Sequence, residues 1–320
     1  MARSKTRIDT MNTHNATQKM LTINVALTLA YSIIAAITGI MVASQTILAE
    51  GISNLGAVPL AVLNIFVVKF IAKQNVRKYP FGKDTLEPFV GIPSNCFLLV
   101  ICVMIIVNSV QMLLAGGNDE VQVTSSILFG IFSFVYNTGV YRYYKSLAKN
   151  NPSPIVTVTL VAWKFSATVG LGIVLGFSLS WVLSLTPLNA LTSYIDPALA
   201  VILMLVFASS PILGIRDCIK ELMQTNLPND MASDITERIE KINGDYDFSD
   251  RVLRLAKVGS KIIVEVDYVL KENSQLDSVS EQDRLRGRFA QAFTELPYKI
   301  WMNVNFTNEA KWTEHIIAQS

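Results

Sequence analysis

The sequence is short of charge: only 16% of its 320 residues are Asp, Glu, Lys or Arg, against roughly 25% in a soluble domain. That excludes a wholly soluble chain, and the shortage lies almost entirely before residue 217. Histidine is scarcer still. The two present, His14 and His315, stand near the two ends, which excludes a multi-histidine zinc site within one chain. The three cysteines, Cys96, Cys102 and Cys218, have no paired spacing, which excludes a disulfide framework or a zinc knuckle. There is no P-loop, no nucleotide-binding glycine fingerprint and no membrane-protease histidine motif, so the chain is not read as an enzyme. A formal net charge of +2 lacks the basic excess that nucleic-acid binding needs, and 51% hydrophobic residues exclude disorder.

Long apolar runs are what the sequence does have. A helix rises about 1.5 Å per residue, so crossing a hydrocarbon core of roughly 30 Å takes about 20 mostly apolar residues. Six stretches qualify, near residues 21–42, 46–72, 87–115, 121–147, 155–183 and 194–215. Arg3, Lys5, Arg7 and Lys19 precede the first; Lys73, Arg77, Lys78 and Lys83 follow the second; Arg142, Lys145 and Lys149 follow the fourth; Arg216 and Lys220 follow the sixth. The alternate loops, at Ser44, at residues 118–120 and at 184–193, carry neither Lys nor Arg. Basic residues in short loops stay on the cytoplasmic side, so both termini are expected there. Compact loops and the lack of an evident targeting peptide point to a prokaryotic inner (plasma) membrane.

After Leu227 and Pro228 the pattern becomes that of a small α+β domain. Residues 230–243 and 280–296 read as helices, and 251–258, 261–270 and 298–306 as strands, the first two joined at Gly259 and Ser260. Ile263, Glu265 and Asp267 alternate with Val264, Val266 and Tyr268, which predicts one wet strand face and one packed on helices. The order αββαβ is that of a ferredoxin-like domain without its first strand. The expected domains are therefore a segment over 1–20, a six-helix transmembrane domain over 21–216 and a ferredoxin-like domain over 217–320.

This arrangement resembles the cation diffusion facilitator (cation efflux) family of divalent metal exporters, and local motifs agree. LAEGISNLG at residues 48–56 is similar to the family's second-helix segment, which carries two metal-binding aspartates four residues apart. YPFGKDTLE at 79–87 is similar to the family's YPFGHGRAE loop into the third helix, and IDPA at 195–198 to the opening of its sixth. The resemblance implies a homodimeric transporter in the lipid bilayer that moves a cation outward in exchange for protons, with no tightly bound cofactor. It also shows a degenerate metal site. The two second-helix ligand positions are Glu50 and Asn54, and the fifth-helix pair falls on Trp163 and Ala167, or one residue later on Lys164 and Thr168. Lys83 stands where the loop often has His, and the last strand reads Trp301-Met302-Asn303-Val304-Asn305 where His and Asp are common.

Glu50 and Lys164 are the charges that fall well inside predicted spans, and an intramembrane charge is by default a functional one. If the second and fifth helices touch as the resemblance implies, the Lys164 ammonium pairs with Glu50 in the space of the missing metal; otherwise each snorkels to its own interface. Glu50 with Asn54 favours a hard, oxygen-preferring cation over zinc. Asn95 is a secondary pathway candidate. Glu50, Asn54, Ala57, Ala61 and Asn64 form one stripe of the second helix, suited either to a hydrated cavity or to close packing. Pro59 is a possible kink in that helix. Asn108, Gln111 and Asn137 read as structural, Gly170, Gly172 and Gly176 as packing positions, and Tyr136, Tyr141, Tyr143 and Tyr144 as an interfacial belt. Trp163 reads as a space filler. The tail acids Glu265, Asp267, Glu272, Asp277, Glu281 and Asp283 read as a solvated face, or as a hard-cation site if gathered across a dimer. Against transport stands a second reading, a transport-inactive paralogue serving as scaffold or regulatory subunit.

Overall fold

The computed structural model describes residues 2–73, 77–150, 154–259, 261–294, 296 and 299–313, and side chains from residue 22 onward except at 64, 68, 72, 147–150, 154–158 and 161. The side chains of His14 and Asn64, and residues Ser260, Tyr298 and His315, lie outside that description. Six long helices come first: α1 (Ala2–Met41), α2 (Gln45–Ala72), α3 (Leu86–Leu114), α4 (Val123–Asn150), α5 (Pro154–Ser184) and α6 (Thr192–Leu222). Each contains a stretch long and apolar enough to cross a membrane. Then follow α7 (Asn229–Asn243), β1 (Asp250–Val258), β2 (Lys261–Val269), α8 (Val279–Phe293) and β3 (Lys299–Thr307). Two ends differ from expectation. The first helix extends back to Ala2, and the sixth runs on through Arg216 and Lys220, where Arg, Lys, Glu and Leu favour its continuation past the end of the apolar stretch.

The chain divides into two compact units, residues 1–66 with 93–215, and 67–92 with 216–320. In the first, α1 and α2 approach backbone to backbone. A Cβ on Gly51 would lie 2.5 Å from the Ala36 nitrogen, and one on Gly39 would lie 2.6 Å from the Leu48 Cα. Small residues are what permit such contact between helices in lipid. Gly170 does the same against the Phe134 backbone of α4, and Gly176 faces Leu199 of α6, whereas a Cβ on Gly172 would meet nothing within 4 Å among the described residues. Tyr31, Ala35, Ile47, Phe129, Val169, Ile173 and Phe177 form the buried centre of this unit. Tyr136 and Tyr144 join inner clusters with Trp163 rather than an interfacial belt: Tyr144 is buried, and the Tyr136 hydroxyl donates to the Leu27 carbonyl at 3.0 Å. Asn108 and Gln111 are exposed on α3.

One end of this unit is held by Asp196. Its Oδ1 accepts from Ser44 Oγ at 2.7 Å and the Thr46 amide at 3.1 Å; its Oδ2 accepts from the Gln45 amide at 2.7 Å and Asn118 Nδ2 at 3.3 Å. The carboxylate thus satisfies two of the orphan N–H groups of α2, whose positive end favours a negative charge. The three loops without Lys or Arg, at Ser44, Asn118 and Ser193, meet here, with the Asn118 amide donating to the Ser193 carbonyl at 2.7 Å. Asp196→Ala strands two backbone amides and a hydroxyl at about 1–3 kcal/mol each, so a loss of roughly 3 kcal/mol or more is expected. Thermal unfolding of the detergent-solubilised chain checks it, with Asp196→Asn, which keeps one acceptor oxygen, falling between.

In the second unit the sheet has the order β1-β2-β3, antiparallel between β1 and β2 and parallel between β2 and β3, with α8 as the crossover. Ile262, Val264, Val266 and Tyr268 pack on Ile235, Ile239 and Ile242 of α7 and Leu285, Phe289 and Phe293 of α8. Tyr268 donates to Asn243 Oδ1 at 2.5 Å, and burial pushes its hydroxyl above the ordinary tyrosine range. The face expected to be wet is largely covered: Ile263 and Glu265 are half-buried, and Asp267 and Val269 are buried. Asp267 accepts from Arg254 and from Asn305 Nδ2 at 2.7 Å, which corrects its place among the solvated acids. Glu281 and Asp283 are paired with Arg284 and Arg286. In the same unit Lys83 is buried, and its ammonium donates to the Phe70 carbonyl at 2.7 Å and the Lys73 carbonyl at 2.5 Å, closing the end of α2.

Candidate functional site

Glu50 lies one turn and a half into α2, 1% exposed. Its Oε1 accepts the Tyr31 hydroxyl of α1 at 2.6 Å, and that hydroxyl is also 2.6 Å from Ser133 Oγ of α4. Asn137, one turn further along α4, donates Nδ2 to the Ser133 carbonyl at 2.8 Å and to Ser133 Oγ at 3.2 Å. A tyrosine has one proton to give, so with Tyr31 donating to Glu50 the Ser133 hydroxyl donates to Tyr31. The bonds then point one way, from Asn137 through Ser133 and Tyr31 to the carboxylate. Two acceptors in this buried cluster have no partner among the described residues: Glu50 Oε2 and Asn137 Oδ1. Orphaned buried oxygens of this kind are costly, more so when the group is a carboxylate.

The expected fifth-helix partners do not join this cluster. Lys164 is exposed on α5 and in no ion pair among the described residues, so the Glu50–Lys164 pair is corrected: the carboxylate's partner is a tyrosine from α1. The physical reason is helical phase. Trp163, one residue earlier, takes the inward position, with its Nε1 donating to Asn24 Oδ1 at 2.8 Å and its ring beside Tyr136. Lys164 therefore faces outward. Thr168 is exposed and donates to the Lys164 carbonyl at 3.1 Å, while Ala167 is half-buried. Asn54 donates to the Glu50 carbonyl at 2.9 Å, its own helix backbone, and Asn95 lies against Gly214 of α6. No group of three or more His, Cys, Asp or Glu capable of holding a metal occurs among the described residues.

Tyr31, Ser133 and Asn137 of the cluster, and Asp196 outside it, are the polar positions the sequence did not single out for these roles. Tyr31 is 19 residues from Glu50 and 102 from Ser133, and no local spacing connects them. The available signal was weak: Ser133 and Asn137 lie four apart on one face of a span.

Six helices long and apolar enough to cross a membrane, one of them carrying a buried carboxylate, are followed by a small α+β unit, which is the make-up of a multi-pass membrane protein. The model of the cation efflux transmembrane domain matches residues 21–223. The chain belongs to the cation efflux family and is a membrane cation transporter by that membership. No curated protein matches it at a significant level.

Proposed function

We propose that this transporter exports its cation through Glu50, in exchange for protons, with a preference altered from the zinc-type site of the family. The observation that carries the reading is the fully buried Glu50 Oε2, unpartnered among the described residues, with the neutral hydroxyl oxygens of Tyr31 and Ser133 in line with the same carboxylate. Oxygen ligands of this kind suit a hard cation rather than a soft one. Asn54 and Asn95 belong to the pathway in this reading, Lys164 and Thr168 to its outer wall. The working unit is a homodimer in a prokaryotic inner membrane with both termini cytoplasmic and a ferredoxin-like tail over 217–320.

The competing reading, a transport-inactive scaffold or regulatory subunit, is favoured by Trp163 filling the inward fifth-helix position. Purified protein in proteoliposomes, offered zinc, manganese, iron, magnesium, sodium and potassium with and without a pH gradient, separates the two. Flux of one hard cation that rises with the gradient is expected. Silence for every ion from a folded protein turns the reading over to the scaffold.

A further inference from the structure

The loop between the second and third spans and the start of β3 build a surface that export does not call for. Residues 72–85 join a span ending at Ile71 to one beginning at Leu86, so both ends of this loop start from the membrane surface. At its tip Phe81 is 76% exposed, and its ring lies 6.2 Å from that of Trp301, itself 43% exposed. The Lys261 side chain, only 13% exposed, places its ammonium 5.2 Å over the Trp301 ring and donates to the Phe81 carbonyl at 2.7 Å. Beside it Lys299 is 62% exposed. Both ammoniums share one carboxylate, Asp84, at 3.8 and 3.7 Å, beyond hydrogen-bonding length, so neither is fully committed to it. Arg77 and Lys78, both exposed, add positive charge from the same loop.

We propose that Phe81, Trp301, Lys261 and Lys299 form a docking surface for the headgroup phosphate of an anionic membrane lipid. Basic residues beside a span attract anionic lipid, and exposed aromatic rings prefer the headgroup level. A soluble anion would use the lysines and leave the two rings without purpose. A second copy of the chain would oppose lysine to lysine in a two-fold contact, which like charges disfavour. The lipid phosphate competes with Asp84 for the two ammoniums, and thereby bears on the contact between the loop and β3. The assignment does not depend on which ion is carried, or on whether any is.

The test is titration of the full-length chain in detergent micelles with phosphatidylglycerol, followed by tryptophan emission, with Trp301→Phe supplying the background from the other three tryptophans. A saturable blue shift of the Trp301 component is expected, with none for phosphatidylcholine or for inorganic phosphate. Lys299→Gln, an exposed position where folding is retained, is expected to weaken binding about fivefold, and Lys261→Gln with Lys299→Gln roughly thirtyfold. A matching response to phosphatidylcholine, saturation by inorganic phosphate, or unchanged affinity in folded Lys299→Gln each overturns the proposal.

Discussion

Proteoliposomes carrying Glu50→Gln are expected to show flux reduced roughly 100-fold or more, with the protein still folded. The substitution is nearly isosteric and keeps an oxygen to accept the Tyr31 hydroxyl, so the bond at 2.6 Å and the packing around it are preserved. What disappears is the charge. Removing one partner of a buried ion pair costs about 3–5 kcal/mol, at least two orders of magnitude in affinity. Tyr31→Phe separates structure from charge in the opposite sense. It leaves the carboxylate in place but removes the one donor it has among the described residues, adding Oε1 to the unpartnered Oε2 at about 1–3 kcal/mol. The melting temperature should fall, while flux per folded molecule drops less than in Glu50→Gln. Glu50→Gln protein that transports as well as the parent chain would remove the carboxylate from the pathway.

Gly51→Leu is expected to have the largest effect on assembly. A Cβ at this position would meet the Ala36 nitrogen at 2.5 Å and its Cα at 2.8 Å, and backbone cannot rotate aside as a side chain can. The two helices must separate, and Tyr31 and Glu50, which face each other across the same contact, separate with them. Overpacking of this kind costs about 1–3 kcal/mol in ordinary cores, and more where backbone is the obstacle. Loss of most of the folded, monodisperse protein in size-exclusion chromatography is expected, with Gly172→Leu as the control, since a Cβ there meets nothing within 4 Å among the described residues. Normal yield from Gly51→Leu would show that α1 and α2 are not held at this distance.

The helices were legible because the physics that makes them is local: apolar length and the placement of Lys and Arg are read in a single pass along the chain. The tail was legible for a similar reason, since the alternation from Ile262 to Tyr268 follows the pleat of one strand. Asp267 broke that alternation because Arg254 on β1 and Asn305 on β3 both reach it, and register across strands is not a property of either strand alone. The site was half legible. Glu50 stands out as a charge at depth, but its partner is chosen by the rotational phase of three helices. A one-residue shift in that phase puts Trp163 inside and Lys164 outside. Asp196 likewise sits in a readable motif, while the α2 amides it caps are some 150 residues earlier in the chain.

Lys83 has a consequence for how this chain responds to its surroundings. A bound ion occupies its place only in proportion to its supply, and a chelator removes it. An ammonium built into the chain is stoichiometric at every ionic composition, so the carbonyls of Phe70 and Lys73 are tied constitutively. The end of α2 thus carries no sensor of scarcity or excess at this lysine.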